Sequence, residues 1–217
     1  MTYHDYLFFS VRSSLRDLSP DLQDKYKKNF LKELQNEKKV ITNSYVLTGL
    51  KDDFSLLLWM QSDRIENIQN FLTSLLHTKM GRYLQIRQTL LGTTRPTQYS
   101  PALSGHIDTE RKGGAYLIIY PFTKTHEWYQ LSFAKRKELM KGHIKIGRKH
   151  PQITQLLLYS YGIDDSEFIV SYETDDLREF QTLVMELRTD SVRSYTQQDT
   201  PVFTCVYKTP EEVLEFL

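Results

Sequence analysis

The sequence predicts an α+β protein built from two fused ferredoxin-like halves. Two observations predict this class. An apolar run, a glycine turn, paired aspartates and a second apolar run occur twice in the chain, and the strands and helices expected around them follow the same order both times. Each half then has the order β-α-β-β-α-β, which is the ferredoxin-like arrangement. Two such halves are expected to pack their sheets face to face as a dimeric α/β-barrel-type core.

The repeated motif begins at Tyr45 in the first half and at Leu156 in the second. It reads YVLTGLKDDFSLLLWMQSD in the first case and LLLYSYGIDDSEFIVSYETDD in the second. Gly49 and Gly162 mark the two turns. Glycine and aspartate tolerate the backbone angles of tight turns, so each motif predicts a β-hairpin.

The remaining strands and helices repeat in the same order. In the first half we expect a strand over Tyr6–Val11, a helix over Pro20–Asn36 and, after the hairpin and a second helix, a strand over Tyr83–Leu91. In the second half the matching elements are a strand over Tyr116–Pro121, a helix over Phe133–Ile146 and a final strand over Val202–Tyr207.

The second helix of each half is predicted from an apolar face with helical spacing. In the first half this face contains Ile65, Ile68, Phe71, Leu72 and Leu75, and in the second it contains Leu177, Phe180, Leu183, Val184 and Leu187. Asp63 and Asp176 each precede one of these helices, where a short acidic side chain can cap free backbone amides.

The duplication sets the expected boundaries of the two repeats. Residues 1–92 form the N-terminal repeat and residues 115–217 form the C-terminal repeat. The connection, residues 93–114, lies within GTTRPTQYSPALSGHIDTERKGG (residues 92–114), where Gly, Pro, Ser and Thr are concentrated. Such a composition is typical of a connection between packed elements.

The composition excludes several classes of protein. The chain has 28 Lys and Arg against 27 Asp and Glu, so it lacks the basic excess typical of nucleic-acid partners. Cys205 is the single cysteine, which leaves no intramolecular disulfide and no cysteine-based metal site. The N-terminal apolar run is too short for a signal peptide, and no run approaches the ~20 apolar residues that span a bilayer. We expect a soluble, cytoplasmic protein without a membrane partner.

A histidine distinguishes the C-terminal half from the N-terminal half. His143 shares one face of its predicted helix with Leu139, Met140 and Ile146, whereas the matching stretch around Glu33 has no histidine. One interpretation is a neutral core histidine that forms one or two hydrogen bonds. The alternative is a ligand to a metal or haem iron in an apolar pocket. No other histidine is placed with zinc-like spacing, so a single-histidine site favours haem over a bare metal.

Tyr120 and Lys124 form a second pair of interest. They lie at and just beyond the end of a predicted strand, where the mouth of a cavity is expected. They are interpreted either as a half-buried tyrosine and a solvated lysine, or as a redox-active phenol and a carboxylate-binding ammonium. Trp128 and Tyr129 are expected to pack this segment, although aromatic residues beside a radical-generating cofactor can also carry electrons.

Four segments of the C-terminal half resemble one known family. YPFTKTHEWYQL, GHIKIGRKHP, GIDDSEF and VMELR follow one another with the order and spacing of the chlorite dismutase-like haem proteins, and they are most similar to the coproheme decarboxylase branch. In the first half, KMGRYLQIRQTLLGTTRPTQYS agrees more loosely. The resemblance implies haem b or iron coproporphyrin III as cofactor or substrate, hydrogen peroxide as co-substrate, and a ring-shaped homo-oligomer, commonly a pentamer.

The resemblance also implies roles for individual residues. The motif H-x-x-x-G-R falls on His143, Gly147 and Arg148, which makes His143 the axial ligand of the haem iron. The motif Y-P-x-x-K falls on Tyr120, Pro121 and Lys124. In the decarboxylase branch this tyrosine forms the radical that attacks a propionate, and this lysine position holds a propionate carboxylate.

Other positions match the family less closely. The arginine that chlorite dismutases carry over the iron is absent, and Gln155 or Leu156 lies nearest the expected place. Gln155 resembles a glutamine of one decarboxylase branch, with spacing one residue short. Arg111 and Arg95 are the candidates for a propionate-binding arginine, and His106 is a candidate distal base or a surface histidine.

Three functions from different classes follow. The first is a peroxide-dependent coproheme decarboxylase that makes haem b. The second is a chlorite dismutase or haem peroxidase, which the missing arginine disfavours because no cation would hold chlorite over the iron. The third is a homologue that binds or senses haem without turnover. Tyr120 together with Lys124 favours the first.

Overall fold

The computed structural model describes residues 1–96, 99 and 111–217. These residues contain nine strands: β1 (Tyr3–Val11), β2 (Ile41–Val46), β3 (Leu56–Ser62), β4 (Leu84–Thr93), β5 (Tyr116–Lys124), β6 (Thr154–Tyr159), β7 (Phe168–Thr174), β8 (Thr196–Gln198) and β9 (Phe203–Tyr207). They also contain six α-helices: α1 (Pro20–Asn36), α2 (Ile65–His77), α3 (His126–Gln130), α4 (Phe133–Gly147), α5 (Leu177–Arg188) and α6 (Pro210–Val213). None of these helices is long and apolar enough to cross a membrane.

The chain divides into two compact units, of which the first is Met1–Thr93 with Thr204–Leu217. Its strands are ordered β4-β1-β3-β2 and all pair antiparallel, with β9 beside β2. Leu7 and Phe9 lie on one face of β1, because alternate strand residues point the same way. They pack in one core with Phe30 of α1 and Phe71 of α2. The two helices therefore cover one face of this sheet.

The second unit, Thr94–Phe203, repeats this arrangement. Its strands β6-β7-β5 follow the same order as β2-β3-β1 of the first unit. Val170 and Tyr172 of β7 pack with Leu183 of α5, and Ile146 of α4 packs against this cluster. The short strand β8, which the sequence pattern did not predict, pairs with the end of β5. The α+β class with two ferredoxin-like halves is confirmed.

The two predicted hairpin turns are also confirmed. Gly49 has φ +77° and Gly162 has φ +70°, a region that favours glycine. In the first turn the Leu50 amide donates to the Leu47 carbonyl at 2.8 Å, and in the second the Ile163 amide donates to the Ser160 carbonyl at 2.9 Å. The same hydrogen bond at matching positions shows that the duplication extends to the turn geometry.

The capping role predicted for the two aspartates is correct at one site and wrong at the other. Asp176 accepts hydrogen bonds from the amides of Arg178 at 2.8 Å and Glu179 at 3.4 Å, and so caps α5. The residue before α2 is Arg64, and no side chain caps that helix. Asp63 lies one residue too early and instead accepts a hydrogen bond from the Ser62 hydroxyl at 3.3 Å.

The predicted repeats and the observed units are defined by different properties. Packing places Thr204–Leu217 with the first unit. The boundaries 1–92, 93–114 and 115–217 describe a duplication in the sequence, and they stay a prediction.

His4 makes the stability of the fold dependent on pH. It is fully buried in β1, and its Nδ1 accepts a hydrogen bond from Trp59 Nε1 at 3.1 Å. Burial lowers the pKa of His4 from 6.5 to about 3. In the unfolded chain the imidazole is protonated below pH 6.5, whereas in the folded protein it stays neutral until about pH 3. The contribution of His4 to stability is therefore complete above pH 6.5 and is lost as the pH falls toward 3.

We expect His4 alone to lower the free energy of unfolding by about 1.4 kcal/mol for each pH unit below 6.5. Urea denaturation at pH 7.5 and pH 5.0 measures this change. His4→Gln keeps an acceptor for Trp59 and should lose this part of the pH dependence. His77→Gln, at an exposed position, should keep it. An equal pH dependence in wild type and His4→Gln would contradict the assignment.

Candidate functional site

The strands β6-β7-β5 of the second unit form a sheet, called here the second sheet. One of its faces carries the candidate side chains of β5. Tyr120, Phe122 and Lys124 alternate along the strand, so all three point to the same face. Tyr120 pairs with Val170 of β7, and Phe122 pairs with Phe168. This is the face on which Ile146 of α4 packs. The strand β5 continues through Lys124, so the prediction that Lys124 lies beyond the strand is wrong. The pairing of Thr123 and Lys124 with β8 extends β5.

Helix α4 brings His143 to this unit. It begins after Ser132, whose hydroxyl accepts a hydrogen bond from the Lys135 amide at 3.3 Å. The predicted face with Leu139, Met140, His143 and Ile146 exists, but all four are half-buried and no residue of α4 is fully buried. The prediction of a buried face was therefore too strong. An apolar helix face with this much exposure can contact a further apolar surface.

The His143 imidazole is half-buried and forms no hydrogen bond with the part of the chain that the structure describes. Its Nδ1 has no partner among the residues that the structure describes. Burial lowers the pKa of His143, the positive charge of Lys124 lowers it further, and the carboxylate of Asp190 opposes both. A core histidine is expected to form one or two hydrogen bonds, because an unpaired buried nitrogen costs free energy. The neutral, unpaired imidazole fits a ligand better.

Asp190 is a site residue that sequence reasoning missed. Its carboxylate accepts a hydrogen bond from the Val192 amide at 2.9 Å and caps the 3-10 turn Ser191–Tyr195. The same carboxylate lies so close to α4 that a Cβ on Gly142 would be 3.0 Å from Asp190 Oδ2. Glycine at position 142 thus allows the carboxylate to approach the helix beside His143. The capping position after α5 was visible in the sequence, but its proximity to α4 was not.

Tyr120 forms a pair with Tyr172 of the neighbouring strand. Their ring centroids are 6.3 Å apart, and the two hydroxyls share a hydrogen bond. Burial raises the pKa of Tyr120, although the bond with Tyr172 opposes this. The pKa of Tyr172 is raised still further, first by burial. Both phenols are therefore protonated at neutral pH.

Lys124 is a buried cation. Its side chain and backbone are 8% exposed, and Nζ lies 4.5 Å from the centroid of the Trp128 ring and 5.1 Å from that of Phe122. Burial lowers its pKa to about 8, and the nearby charge of Arg193 contributes. In the described part of the chain, no carboxylate oxygen lies within 4 Å of Nζ. An ammonium with aromatic contacts and no ion pair can bind an added carboxylate.

Two arginines add positive charge near Tyr120, and the sequence analysis did not predict a role for either. Arg188 and Arg193 share the Asp199 carboxylate, at 2.9 Å and 2.8 Å. The charges of all three residues influence the pKa of Tyr120. Two cations against one anion leave a net positive charge near the Tyr120 phenol.

Gln155 lies on the same face as Tyr120. It pairs with Tyr172 across β6 and β7, whereas Leu156 pairs with Ser171 and so points to the opposite face. Between the two candidates for the distal position, the strand geometry therefore favours Gln155. Its side chain is exposed.

The structure places Arg111 at the opposite end of β5 from Lys124. Its guanidinium donates to the Gly114 carbonyl at 2.8 Å, just before β5, and Lys124 lies at the other end of that strand. Eight residues of strand span about 26 Å. Arg95 is exposed and its charge acts on Tyr159 of β6. His106 lies outside the described residues.

The donor set favours a porphyrin over a bare metal ion. Within the described ranges, no group of three or more His, Cys, Asp or Glu side chains could hold a metal ion. One unpaired histidine on an apolar helix face, with the buried cation Lys124 nearby, fits a flat apolar ligand that has one bond to a histidine nitrogen and carboxylate substituents. Gln155, His143, Tyr120 and Lys124 are thus compatible with one ligand.

Comparison with known proteins gives the family. The sequence pattern described as chlorite dismutase matches residues 23–208. The chain belongs to the chlorite dismutase family. Among curated relatives, the coproheme decarboxylase of Mycolicibacterium smegmatis is 25% identical over 203 residues, which cover 92% of this chain and 88% of that protein.

Solved structures of the chlorite dismutase family share the fold. The chlorite dismutase of Candidatus Nitrospira defluvii in complex with imidazole has a TM-score of 0.87 and is 24% identical, covering 99% of this chain and 94% of that chain. A mutant of the same enzyme has a TM-score of 0.89 with the same identity and coverage. The match extends along nearly the whole chain, so both ferredoxin-like halves belong to the family fold.

Proposed function

We propose that this protein binds iron coproporphyrin III and decarboxylates two of its propionates with hydrogen peroxide, yielding haem b. The observation that carries the proposal is the placement of Tyr120 and Lys124 on one face of the second sheet, in the unit that contains the unpaired His143. The curated relative described as a coproheme decarboxylase supports the same substrate.

Each residue of the site would have a separate task in binding. His143 would supply a nitrogen ligand to the iron, and the half-buried face of α4 around it would hold the porphyrin. Lys124 and Arg193 would hold propionate carboxylates, since both cations lie near the Tyr120 end of the site. When bound, the iron supplies the activation of peroxide. The residues of this chain then bind and orient the substrate, which is the usual division of labour with a cofactor.

Tyr120 would carry out the step on the propionate. Its phenol gives up an electron and its proton, and the oxygen then accepts a hydrogen atom from the propionate chain. Each propionate loses carbon dioxide, one proton and two electrons as the vinyl group forms, and one peroxide accepts two electrons. The hydrogen bond that it shares with Tyr172 would orient the Tyr120 oxygen.

The test is an anaerobic titration of the protein with iron coproporphyrin III, followed by peroxide and mass analysis of the porphyrin. A histidine-ligated absorbance spectrum and the loss of two carboxyl groups are expected. Binding without decarboxylation would contradict the proposed reaction, and chlorite would be the next substrate to test. No binding would contradict the proposed cofactor as well.

Lys124 is expected to contribute more to the binding affinity for iron coproporphyrin than to that for haem b. We expect Lys124→Met to weaken iron coproporphyrin binding about tenfold, or about 1.4 kcal/mol, because the methionine keeps the buried apolar stem and removes the charge. The same change should affect haem b less, since haem b has fewer carboxylates. Equilibrium titration of both porphyrins gives the ratio. Lys137→Met, an exposed position of α4, is the control. Equal losses for both porphyrins would argue against a carboxylate contact.

On the family resemblance we further propose a ring-shaped homo-oligomer, a pentamer, and on the sequence features described above a cytoplasmic location. Mass measurement by light scattering tests the assembly, and five times the 25.7 kDa chain is the expected result.

A further inference from the structure

A second pair of tyrosines lies in the second unit, outside the group around Tyr120. The hydroxyls of Tyr129 and Tyr161 are 2.5 Å apart, and the Tyr129 hydroxyl also donates to Glu167 Oε2 at 2.5 Å. Tyr129 is 37% exposed and Tyr161 is 45% exposed. The Lys124 amide donates to the same Glu167 oxygen at 2.7 Å, which fixes the carboxylate in place. The cluster thus combines a solvent-accessible phenol with a fixed carboxylate.

A row of aromatic rings leads from this pair toward Tyr120. The centroids of Tyr161 and Phe168 are 5.0 Å apart, and those of Phe168 and Phe122 are 6.1 Å apart. Phe122 lies two residues from Tyr120, on the same face of β5. The rings of Tyr129 and Tyr161 are 6.4 Å apart. Separations of this size allow electron transfer between the two tyrosine sites through packed side chains.

We propose that Tyr129 and Tyr161 form a second redox site, at which a small neutral phenol is oxidised one electron at a time. The inference rests on the proposed function, because the oxidising equivalent comes from the Tyr120 radical that peroxide generates. A neutral donor is favoured because the Glu167 carboxylate would repel an anionic one.

The electrons and protons balance in two steps. In the first, Tyr129 loses an electron through the row of rings to the Tyr120 radical, and its phenolic proton moves to Glu167 Oε2. Tyr120, which is half-buried, takes up a proton from solvent and becomes a phenol again. In the second, the donor phenol gives an electron to Tyr129, Glu167 returns the proton, and the donor releases its own proton to water. Because one peroxide accepts two electrons, the two steps occur twice for each peroxide, and two donor molecules are oxidised.

Glu167 is what makes Tyr129 suited to this role. Burial raises the pKa of Tyr129, and its hydrogen bonds with Glu167 and Tyr161 raise it further. The phenol therefore stays protonated until an electron leaves, and the proton then has a fixed acceptor at 2.5 Å. Moving the proton together with the electron avoids a charged phenol radical, which is strongly acidic.

The first unit contains a matched pair without this carboxylate. Tyr26 and Tyr83 are half-buried, and their ring centroids are also 6.4 Å apart. Within the described residues, neither phenol donates to a carboxylate. Tyr129 and Tyr161 are also more exposed than this pair, so the effect of Glu167→Gln on the 129–161 pair is the result that isolates the role of the carboxylate.

The first experiment uses the full chain without porphyrin, so that it does not depend on the proposed function. A ruthenium tris-bipyridine photo-oxidant with persulfate would oxidise the protein, and peptide mass analysis would map dityrosine. We expect the 129–161 cross-link to exceed the 26–83 cross-link at least fivefold. Glu167→Gln should lower it at least threefold, whereas Tyr83→Phe should leave it unchanged. Equal cross-linking of the two pairs would overturn the inference.

The second experiment loads the protein with iron coproporphyrin and adds peroxide with a small phenol such as guaiacol. Freeze-quench electron paramagnetic resonance with ring-deuterated tyrosine is the readout, together with guaiacol oxidation. Tyr129→Phe should keep the first-turnover yield of haem b and lose at least fivefold in guaiacol oxidation, with the radical remaining on Tyr120. Unchanged guaiacol oxidation in Tyr129→Phe would overturn the inference. A porphyrin that is bound but not decarboxylated, in a protein that still cross-links 129–161, would contradict the proposed function alone.

Discussion

His143→Ala is expected to weaken iron coproporphyrin binding about 100-fold, or about 2.7 kcal/mol, and to abolish the histidine-ligated absorbance spectrum. The imidazole is the only one on the face of α4 that packs toward the sheet carrying Tyr120, and among the described residues no group satisfies its Nδ1. Its removal takes away the nitrogen proposed to bind the iron but no hydrogen bond among the described residues. Porphyrin titration by absorbance measures the first effect, and circular dichroism checks that α4 remains folded.

This prediction separates the two interpretations of His143. A histidine that only fills the core would, on replacement, lower the free energy of unfolding and leave porphyrin binding unchanged. A ligand would do the reverse, because α4 has no fully buried residue and His143 forms no hydrogen bond in the described chain. Added imidazole should restore the spectrum of His143→Ala. His126→Ala, at an exposed position, is the control. Unchanged affinity in His143→Ala would refute the axial role.

The fold was predictable because its signals are local. The glycine turns at Gly49 and Gly162 depend on a few residues, and α1 has the bounds that its pattern predicts. The errors were also local. Arg64 lies between Asp63 and the first residue of α2, so the Asp63 side chain starts one position too far from the free amides, whereas Asp176 directly precedes α5.

The site was predictable only where its residues share one element. Tyr120 and Lys124 belong to one strand, so alternation alone places them on one face. Asp190 and Arg193 come from the segment after α5, and only the packing of that segment beside α4 and β5 brings their charges to His143 and Lys124. No periodicity in a sequence reports such a contact between distant segments.

The contacts of the pair Tyr129 and Tyr161 could not be predicted from the sequence for the same reason. Tyr129 was expected to pack the segment or to carry electrons, and the sequence offered no means to choose. Its partners are 32 and 38 residues away: Tyr161 lies in the second glycine turn, and Glu167 directly precedes β7. A hydrogen bond over that separation depends on where β6 and β7 place the turn, which is a property of the folded sheet.

Tyr120→Phe is expected to abolish decarboxylation while leaving iron coproporphyrin bound. The substitution removes one hydroxyl and keeps the ring that packs in the cluster with Val170 and Tyr172. Without the hydroxyl no phenol can lose an electron and a proton beside the propionate. We expect the rate of haem b formation to fall at least about 1000-fold, or about 4 kcal/mol of activation free energy. Binding should change less than threefold.

Tyr172→Phe is the matched control for this prediction, because it removes the hydroxyl that shares a hydrogen bond with Tyr120 and leaves the Tyr120 phenol intact. It should slow haem b formation by about tenfold, the effect of one lost orienting hydrogen bond. Stopped-flow absorbance after peroxide addition, with mass analysis of the porphyrin, measures both rates. If Tyr120→Phe retained decarboxylation while Tyr172→Phe lost it, the reacting phenol would be Tyr172. If both variants retained it, neither tyrosine would carry the reaction.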